Sequence, residues 1–457
     1  MSRDLSFASR KGAADEMMSD LNAPYDESRP RLLMTAFHYD RGHSMESRLS
    51  WQRAQYASED YDVTVICARG EPTGEGASVI ELPPDALERA LLAATPTYYL
   101  GYRRWHRRVY RLARAMHAES PFALVHHVSF CGYREPSDCW RLGAPFVWGP
   151  VGGTRPFPWK FLGTLDGRGA VREVLRNVVN ACQLRYCWRV GRALRAAASV
   201  LAANREVACD LTPRLGYQPQ VLLETGIEAR RRAPRPPSDP RKPLKILWAG
   251  RLRSWKALPL LLEALATLPS DCRYTLRVLG QGSCLQRWQR QAAQLGISDH
   301  VEWAGWPGYA DQLPHYDWAD VFAFTSLRDT SGTGLLEALA AGAAIVGVDH
   351  QGAADIMSDD CAVRVPVVDP ATTIRGLADA LARLARDRDE LARLSTGAIE
   401  RAAMFTWDRQ GEHVRQVYAQ AAAAANTAPA GSPGRAVARR ESGPLLFPVH
   451  SSHEAVH

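Results

Sequence analysis

The sequence predicts an α/β protein built from two doubly wound, Rossmann-like domains. Short apolar runs rich in Val, Ile and Phe alternate with helical stretches, which is typical of parallel strands joined by crossover helices. The pattern occurs twice, on either side of a segment dense in Pro and Arg at 230–243, where neither helix nor strand can continue. Because such sheets bind ligands at the carboxyl ends of their strands, we expect a central cleft between the two domains.

The predicted elements follow in order along the chain. Strands are predicted at 30–38, 61–68, 122–130, 144–150 and 198–203 in the first block, and at 244–250, 273–280, 301–305, 320–326 and 343–349 in the second, with helices at 257–268, 284–296 and 373–394. The Ala-, Pro- and Gly-rich end has no apolar period and predicts disorder. The chain therefore divides into a disordered tail (1–29), an N-terminal domain (30–232), a C-terminal domain (233–405), a helix packing back toward the N-terminal domain (406–420) and a second disordered tail (421–457).

Composition narrows the class of protein. With 457 residues, 46% of them hydrophobic, the chain is too long for one comfortable core. The nine cysteines form no CxxC pair, which indicates reduced thiols in a cytosol and neither a disulfide framework nor a zinc site. The start of the chain resembles neither a signal peptide nor a membrane anchor, so we expect a cytoplasmic protein. The net charge of +7 suits an anionic partner, but nucleic acid, nucleotide phosphate and anionic membrane all satisfy it.

The stretch SLRDTSGTGLLEAL, at 326–339, has strand, loop and helix order. Its small residues let backbone N–H groups approach an anion, and the helix that starts around Gly332, Thr333 and Gly334 adds its positive end, which predicts a phosphate site. Asp329 and Glu337 would not improve phosphate binding, but their carboxylates can accept hydrogen bonds from hydroxyls. The stretch therefore predicts a sugar nucleotide site; the alternative is a Gly-capped loop before a core helix.

A second motif, LWAGRLRSWKALPLLLEAL at 247–265, places two cations at the end of a strand. The strand ends at Gly250 and is followed by Arg251 and Lys256. Fixed positive charges of this kind stabilise a departing diphosphate. Arg can donate two hydrogen bonds to a phosphate at once, and Lys provides a localised charge. The alternative for either residue is a solvated loop cation.

The two motifs together resemble the donor domain of the retaining glycosyltransferases of family 4. The family pattern G-R-L followed by K matches 250–252 with Lys256, and 278–306 matches the family's order of strand, G-x-G, helix and strand. The second Glu of the family's Glu–seven residues–Glu motif matches Glu337, whereas the first is replaced by Asp329. The loop reads most like a subgroup of polysaccharide-assembly transferases.

The resemblance implies the GT-B fold and a metal-independent hexosyltransferase with no cofactor. A nucleotide diphosphate sugar is the expected donor, and a glycan or lipid-linked molecule the expected acceptor, in exopolysaccharide, capsule or lipopolysaccharide assembly. Arg251 and Lys256 would hold the diphosphate, Glu337 the ribose and Asp329 the hexose. In the acceptor-side N-terminal domain, Gly42 would lie in the glycine loop near the donor phosphates.

A histidine near the donor sugar is also implied by the resemblance. Either His126 or His127 matches, and because side chains alternate along a strand, only one of them is expected to face the cleft. Two other classes remain open: a non-catalytic glycan- or nucleotide-binding relative, and a sugar-nucleotide epimerase on the same fold. A nucleic-acid binder is disfavoured because aromatic residues and cations do not interleave on a candidate sheet face.

The segment 97–118 is a basic amphipathic helix. Its apolar residues recur at helical spacing and its arginines fill the other face. Such a helix can lie on the inner face of an anionic membrane as a peripheral contact. The alternative is a helix docked on the protein core with solvated arginines.

Overall fold

The structure is a computed structural model that describes residues 28–41, 45–70, 76–94, 96–128, 132–230 and 232–426. These residues form two compact units. The first unit extends to Gly149 and includes Arg189–Val200 and the chain from Gly411, while the second contains Pro150–Trp188 and Leu201–Gln410. The predicted domain boundary at 232/233 therefore lies inside the second unit. Gly42 lies outside the described residues.

The first unit is organised around parallel strands. The strands are β1 (Arg31–Thr35), β2 (His38–Tyr39), β3 (Asp62–Cys67), β4 (Arg69–Gly70), β5 (Ala77–Glu81), β6 (Leu124–His127) and β7 (Phe146–Val151), and the helices between them are α1 (Met45–Ala57), α2 (Ala86–Ala93) and α3 (Tyr98–Glu119). Within this unit the strands follow the order β5-β3-β1-β6-β7, and β2 pairs with β4. The strands β1, β3 and β6 are almost continuously buried, as expected where helices cover both faces of a parallel sheet.

The next segment contains α4 (Gly167–Tyr186), α5 (Trp188–Ala196), β8 (Ser199–Ala202), α6 (Arg205–Leu215) and β9 (Gln220–Val221). The second sheet then consists of β10 (Leu244–Ala249), β11 (Tyr274–Leu279), β12 (Val301–Gly305), β13 (Val321–Phe324), β14 (Ala344–Asp349) and β15 (Ala362–Pro366). Its order is β12-β11-β10-β13-β14-β15, and each neighbouring pair is parallel.

The helices of the second half are α7 (Leu258–Ala266), α8 (Leu285–Gln294), α9 (Tyr309–Trp318), α10 (Thr333–Ala340), α11 (Gly352–Ile356), α12 (Pro370–Arg386), α13 (Arg388–Ala402) and α14 (Trp407–Asn426). Two apolar clusters flank the second sheet, one containing Ile246 and Leu261 and the other Leu247 and Leu336. Alternate residues of β10 thus contribute to opposite clusters, as the period of a strand requires. The predicted α/β class with Rossmann-like parallel sheets is confirmed.

Two predicted element boundaries were wrong. The helix predicted at 373–394 is two helices, because the Asp387 carboxylate accepts a hydrogen bond from the Glu390 N–H at 2.8 Å and begins α13. The second tail was predicted to start at residue 421, whereas α14 continues to Asn426. The remaining residues of that tail, 427–457, lie outside the described residues.

Helix α3, which covers the basic segment, is docked on the first unit through its apolar face. Tyr102, Trp105, Val109 and Met116 are buried. The Trp105 indole Nε1 donates to the Leu82 carbonyl at 2.7 Å. On the polar side, Arg108 pairs with the fully buried carboxylate of Glu88 at 2.7 Å, and Arg104 pairs with Asp85 at 3.1 Å. The docked alternative is the observed one, so the apolar side of this helix is not available to a membrane.

Replacing Trp105 with Ala should lower the free energy of unfolding by about 3–5 kcal/mol, because a large buried ring is lost. The substitution also leaves the Leu82 carbonyl without its indole donor. Urea denaturation measures the change. The exposed Arg111 on the same helix provides the control, since Arg111→Ala should stay within about 0.5 kcal/mol of the parent. Equal losses in the two variants would contradict the docking of α3.

Candidate functional site

The candidate site lies where the second sheet reverses its order of connection. β10 is central and pairs on one side with β11 and on the other with β13. The connections of these two neighbours leave in opposite directions, which opens a crevice beyond the carboxyl ends of β10 and β13, the usual ligand site of a doubly wound sheet. Both predicted motifs occupy this place: the loop after β10 carries Gly250, Arg251 and Lys256, and the loop after β13 carries Asp329.

The two loops are joined by an ion pair and by hydrogen bonds. The Lys256 ammonium contacts the Asp329 carboxylate, and both side chains are largely buried. The Lys256 carbonyl accepts a hydrogen bond from the Thr325 hydroxyl at 2.8 Å, and the same hydroxyl accepts from the Trp248 indole at 3.0 Å. The Lys256 ammonium also lies 6.0 Å from the centre of the Phe324 ring. The cation is therefore held at the crevice by neighbours from the end of β13 and the loop that follows it.

Gly332 begins helix α10 in a left-handed conformation, with φ of 62°, which favours glycine. Thr333 and Gly334 follow in the first turn, where N–H groups have no partner within the helix. A Cβ on Gly332 would lie 3.6 Å from the Phe324 ring, the ring next to Lys256. The start of α10 and the lysine therefore share one aromatic neighbour. Glu337 lies further along the same helix and is partly buried.

Of the residues predicted in the loop after β10, Gly250 lies close to Lys256 whereas Arg251 does not contact it. Gly250 adjoins Lys256, since a Cβ on it would lie 3.8 Å from the Lys256 side chain. Gly250 also passes close to Gly280, where a Cβ would meet the Gly250 carbonyl oxygen at 2.1 Å. The Arg251 side chain is exposed, and no contact among the described residues joins its guanidinium to this set. Gly250, Lys256 and Asp329 thus lie together, while the role of Arg251 in holding a diphosphate stays a prediction.

Both histidines of β6 are buried in the first unit, and the expectation that one of them faces a cleft stays a prediction. His126 Nε2 donates to the Gly149 carbonyl at 2.9 Å, and its Nδ1 accepts from the Tyr418 hydroxyl at 2.6 Å. His127 Nδ1 accepts from the Thr35 hydroxyl at 2.9 Å, and its Nε2 faces the Glu135 carbonyl at 3.3 Å. With both ring nitrogens bonded in each residue, these contacts give no support to a catalytic role.

Comparison with known proteins points to one enzyme class. Residues 230–401 match the family model of glycosyl transferases group 1. The D-inositol 3-phosphate glycosyltransferase of Streptomyces bingchenggensis is 30% identical over 254 residues, which cover 50% of this chain and 53% of that protein. WcaL of Escherichia coli K12, a glycosyltransferase named for colanic acid biosynthesis, is 30% identical over 175 residues, which cover 36% of this chain and 42% of WcaL. The chain thus spans about half the length of these curated relatives.

A solved structure extends the likeness to the whole fold. Anabaena HepE in complex with UDP and glucose has a TM-score of 0.56 to this chain at 15% identity, covering 86% of this chain and 100% of HepE. The fold is therefore that of the GT-B glycosyltransferases, as the sequence motifs predicted.

The loop after β14 supports the site, and sequence reasoning missed it. The Gln351 side-chain carbonyl accepts from the Asp329 N–H at 3.1 Å, and the Asn204 amide donates to the Thr330 carbonyl at 3.0 Å. Gly352 passes so close that a Cβ there would lie 2.0 Å from the Thr330 carbonyl oxygen. The signal was present in the sequence, because Gln351 follows the predicted strand at 343–349 and Gly352 begins the next helix, at the same edge of the sheet.

A buried ion pair anchors the loop from its other side. The Arg328 Nη1 donates to both oxygens of the fully buried Glu173 carboxylate, at 2.9 and 2.8 Å. Burial, with repulsion from Arg176, lowers the pKa of the Arg328 guanidinium to about 10. The Trp255 ring lies 4.2 Å from the same guanidinium. Arg328 and Glu173 therefore fix the loop immediately before Asp329, a pairing that 155 residues of sequence separation concealed.

Among the described residues, no group of three or more His, Cys, Asp or Glu side chains converges in a way that could hold a metal ion. None of the described helices is both long and apolar enough to cross a membrane.

The buried histidines should make stability depend on pH. Burial lowers the pKa of His126 to about 3 and that of His127 to about 4. In the unfolded chain both rings take up a proton near pH 6.5, so between about pH 6.5 and 4 the unfolded state binds more protons and stability falls as the pH falls. Each histidine contributes about 1.4 kcal/mol per pH unit across this window.

Urea unfolding at about pH 7.5 and about pH 5.5 measures this loss. The difference between the two pH values should be smaller in His126→Gln than in the parent, because one titrating ring has been removed. Identical differences in the two proteins would contradict the lowered pKa of His126.

Proposed function

We propose that this protein transfers a hexosyl group from a nucleotide diphosphate sugar to a glycan or lipid-linked acceptor, in polysaccharide assembly. The observation that carries the proposal is the convergence of Lys256, Asp329 and the start of α10 at the crevice between β10 and β13. The group 1 glycosyltransferase match over 230–401 covers both loops. A likeness to WcaL favours polysaccharide assembly.

The proposed donor chemistry follows from the charges at the crevice. Negative charge grows on the diphosphate as the anomeric bond breaks, so fixed positive groups there favour the transition state. Lys256 and the N–H groups at the start of α10 would supply this stabilisation, together with Arg251. Neither a metal ion nor a cofactor is part of the proposal. HepE is known in complex with UDP and with UDP-glucose, which makes a UDP-sugar the first donor to test.

The carboxylates would bind the sugar hydroxyls. Glu337 is assigned to the ribose and Asp329 to the hexose, as the resemblance implies. The ion pair between Asp329 and Lys256 places a hydrogen-bond acceptor for sugar hydroxyls directly beside a cation that can bind phosphate. A sugar linked to phosphate requires both groups at neighbouring positions. Retention of the anomeric configuration is proposed from the resemblance, with the acceptor hydroxyl attacking on the face of the leaving group.

A panel of UDP-, GDP- and ADP-sugars should identify the donor by thermal stabilisation, because a ligand selective for the folded state raises its melting temperature. We expect one nucleotide class to raise the melting temperature and the other two to leave it unchanged. Slow hydrolysis of this donor by the purified protein would argue against a non-catalytic binding protein, whereas an acceptor-independent change in the sugar would indicate an epimerase. Stabilisation by none of the three classes would contradict the proposed donor.

Replacing Lys256 with Ala should lower turnover of the selected donor by at least about 10²-fold, the scale for losing one donor to a developing oxyanion. Arg253→Ala provides a matched control, because Arg253 is an exposed cation in the same loop. We expect it to keep near-parental turnover. Steady-state kinetics with both variants separate a positioned cation from general positive charge, and parental rates in Lys256→Ala would refute the role of Lys256.

A further inference from the structure

Helix α4 is amphipathic with its polar side turned inward. Its buried residues include Glu173, Asn177 and Asn180. Three of its large apolar residues face outward, Val171, Leu175 and Val178, which are exposed by 70%, 62% and 50%. These three recur at helical spacing and form one stripe. An outward apolar stripe on a helix with a polar buried side is the reverse of the usual arrangement in a globular protein.

Specific hydrogen bonds fix this orientation. The Asn177 side chain accepts from the Phe157 N–H at 2.8 Å and donates to the Phe157 carbonyl at 2.9 Å. The Asn180 amide donates to the Gly153 carbonyl at 3.0 Å. Glu173 holds Arg328 with both carboxylate oxygens. Rotating the helix to bury its apolar stripe would break all of these bonds and strand a buried charge, so the stripe remains outward.

The charges beside the stripe are positive. Arg168, Arg172 and Arg185 are exposed on the same helix, and the only carboxylate in its sequence is that of Glu173, which is buried. Two exposed aromatic side chains lie at the end of the helix, Tyr186 in its last turn at 74% and Trp188 just beyond it at 64%. Apolar side chains, exposed cations and amphipathic aromatic rings together are the composition of a helix that lies in a membrane interface.

We propose that α4 binds the surface of an anionic lipid bilayer, with Val171, Leu175 and Val178 inserted among the acyl chains. The flanking arginines complement anionic headgroups, and each such cation adds to the attraction of the surface. A second copy of this helix would instead bring two rows of arginines together, and no residue within Gly167–Tyr186 offers an exposed carboxylate to neutralise them. The charge pattern therefore favours lipid over self-association.

The opposite side of α4 connects this surface to the candidate site. Glu173 holds Arg328, the residue before Asp329. The Trp255 ring lies 4.2 Å from the Arg328 guanidinium and 5.2 Å from that of Arg172, and Trp255 directly precedes Lys256. The helix that meets the bilayer thus also buttresses both loops of the crevice. The inference concerns where the protein binds, so its test is separate from donor binding.

The test is cosedimentation of the full chain with vesicles of equal parts phosphatidylcholine and phosphatidylglycerol, and with vesicles of phosphatidylcholine alone. The parent should bind the mixed vesicles and bind the neutral ones far more weakly. The double variant Leu175→Gln, Val178→Gln should reduce binding at least about tenfold, since two inserted side chains are lost. Leu100→Gln is the matched control, because Leu100 is 56% exposed on α3, and it should bind as the parent does.

A second comparison separates α4 from the basic face of α3, the membrane contact expected from the sequence. Arg107 and Arg111 are exposed and line a basic surface cavity with Arg104 and Arg108. Vesicle binding should persist in Arg107→Gln, Arg111→Gln. Loss of binding in this variant, or parental binding by the α4 double variant, would overturn the proposal.

A second copy of the protein is the other molecule that could cover the stripe, and sedimentation velocity measures such self-association. The proposal would also be overturned if the parent forms a concentration-dependent dimer and does not bind the mixed vesicles, and if the α4 double variant abolishes this dimer. The donor-induced thermal shift, measured without vesicles, should be the same in the parent and the double variant. A failure of membrane binding is therefore distinguishable from a failure of the proposed transferase activity.

Discussion

The parallel pairing of β10 with both β11 and β13 is the constraint on which the candidate site depends. The loops that follow neighbouring strands lie next to each other, and the connections after them leave in opposite directions. This divergence opens the crevice between the loops. The backbone around the crevice is packed so closely that neither Gly280 nor Gly352 has space for a Cβ. The loop positions are therefore set by main-chain contact, and side chains such as Lys256 add charge to a shape that already exists.

The ion pair between Lys256 and Asp329 gives that shape its chemical character. Two opposite charges held together at a partly buried position restrain each other, so the lysine is positioned before any phosphate arrives. Prepositioned charge costs no reorganisation during the reaction, which is why fixed groups stabilise a transition state better than flexible ones. In the proposed mechanism the diphosphate of the donor faces Lys256 and a sugar hydroxyl faces Asp329, while the two side chains keep their positions.

The sequence predicted the positions of most of the longer strands because the apolar period is a local property, although it missed β5 and β15. The strand at 301–305 coincides with β12, and both motifs lie at strand ends as expected. Long-range pairings were out of reach: nothing local connects Glu173 with Arg328, or His126 with Tyr418. The partners of the two histidines were out of reach for the same reason, since strand alternation distinguishes two faces of β6 without identifying what packs on either face.

Helices α3 and α4 also show what sequence periodicity does not reveal. Both have an apolar stripe and a basic side in the sequence, yet α3 buries its stripe whereas α4 exposes its own. Periodicity identifies a stripe without saying which side faces the protein. The buried polar groups next to the helix decide which side faces the protein. In α4, Asn177 forms hydrogen bonds with the backbone of Phe157, and Glu173 pairs with Arg328. A helix that must satisfy these polar groups cannot also bury its valines and leucine, so its apolar surface is a consequence of supporting the crevice.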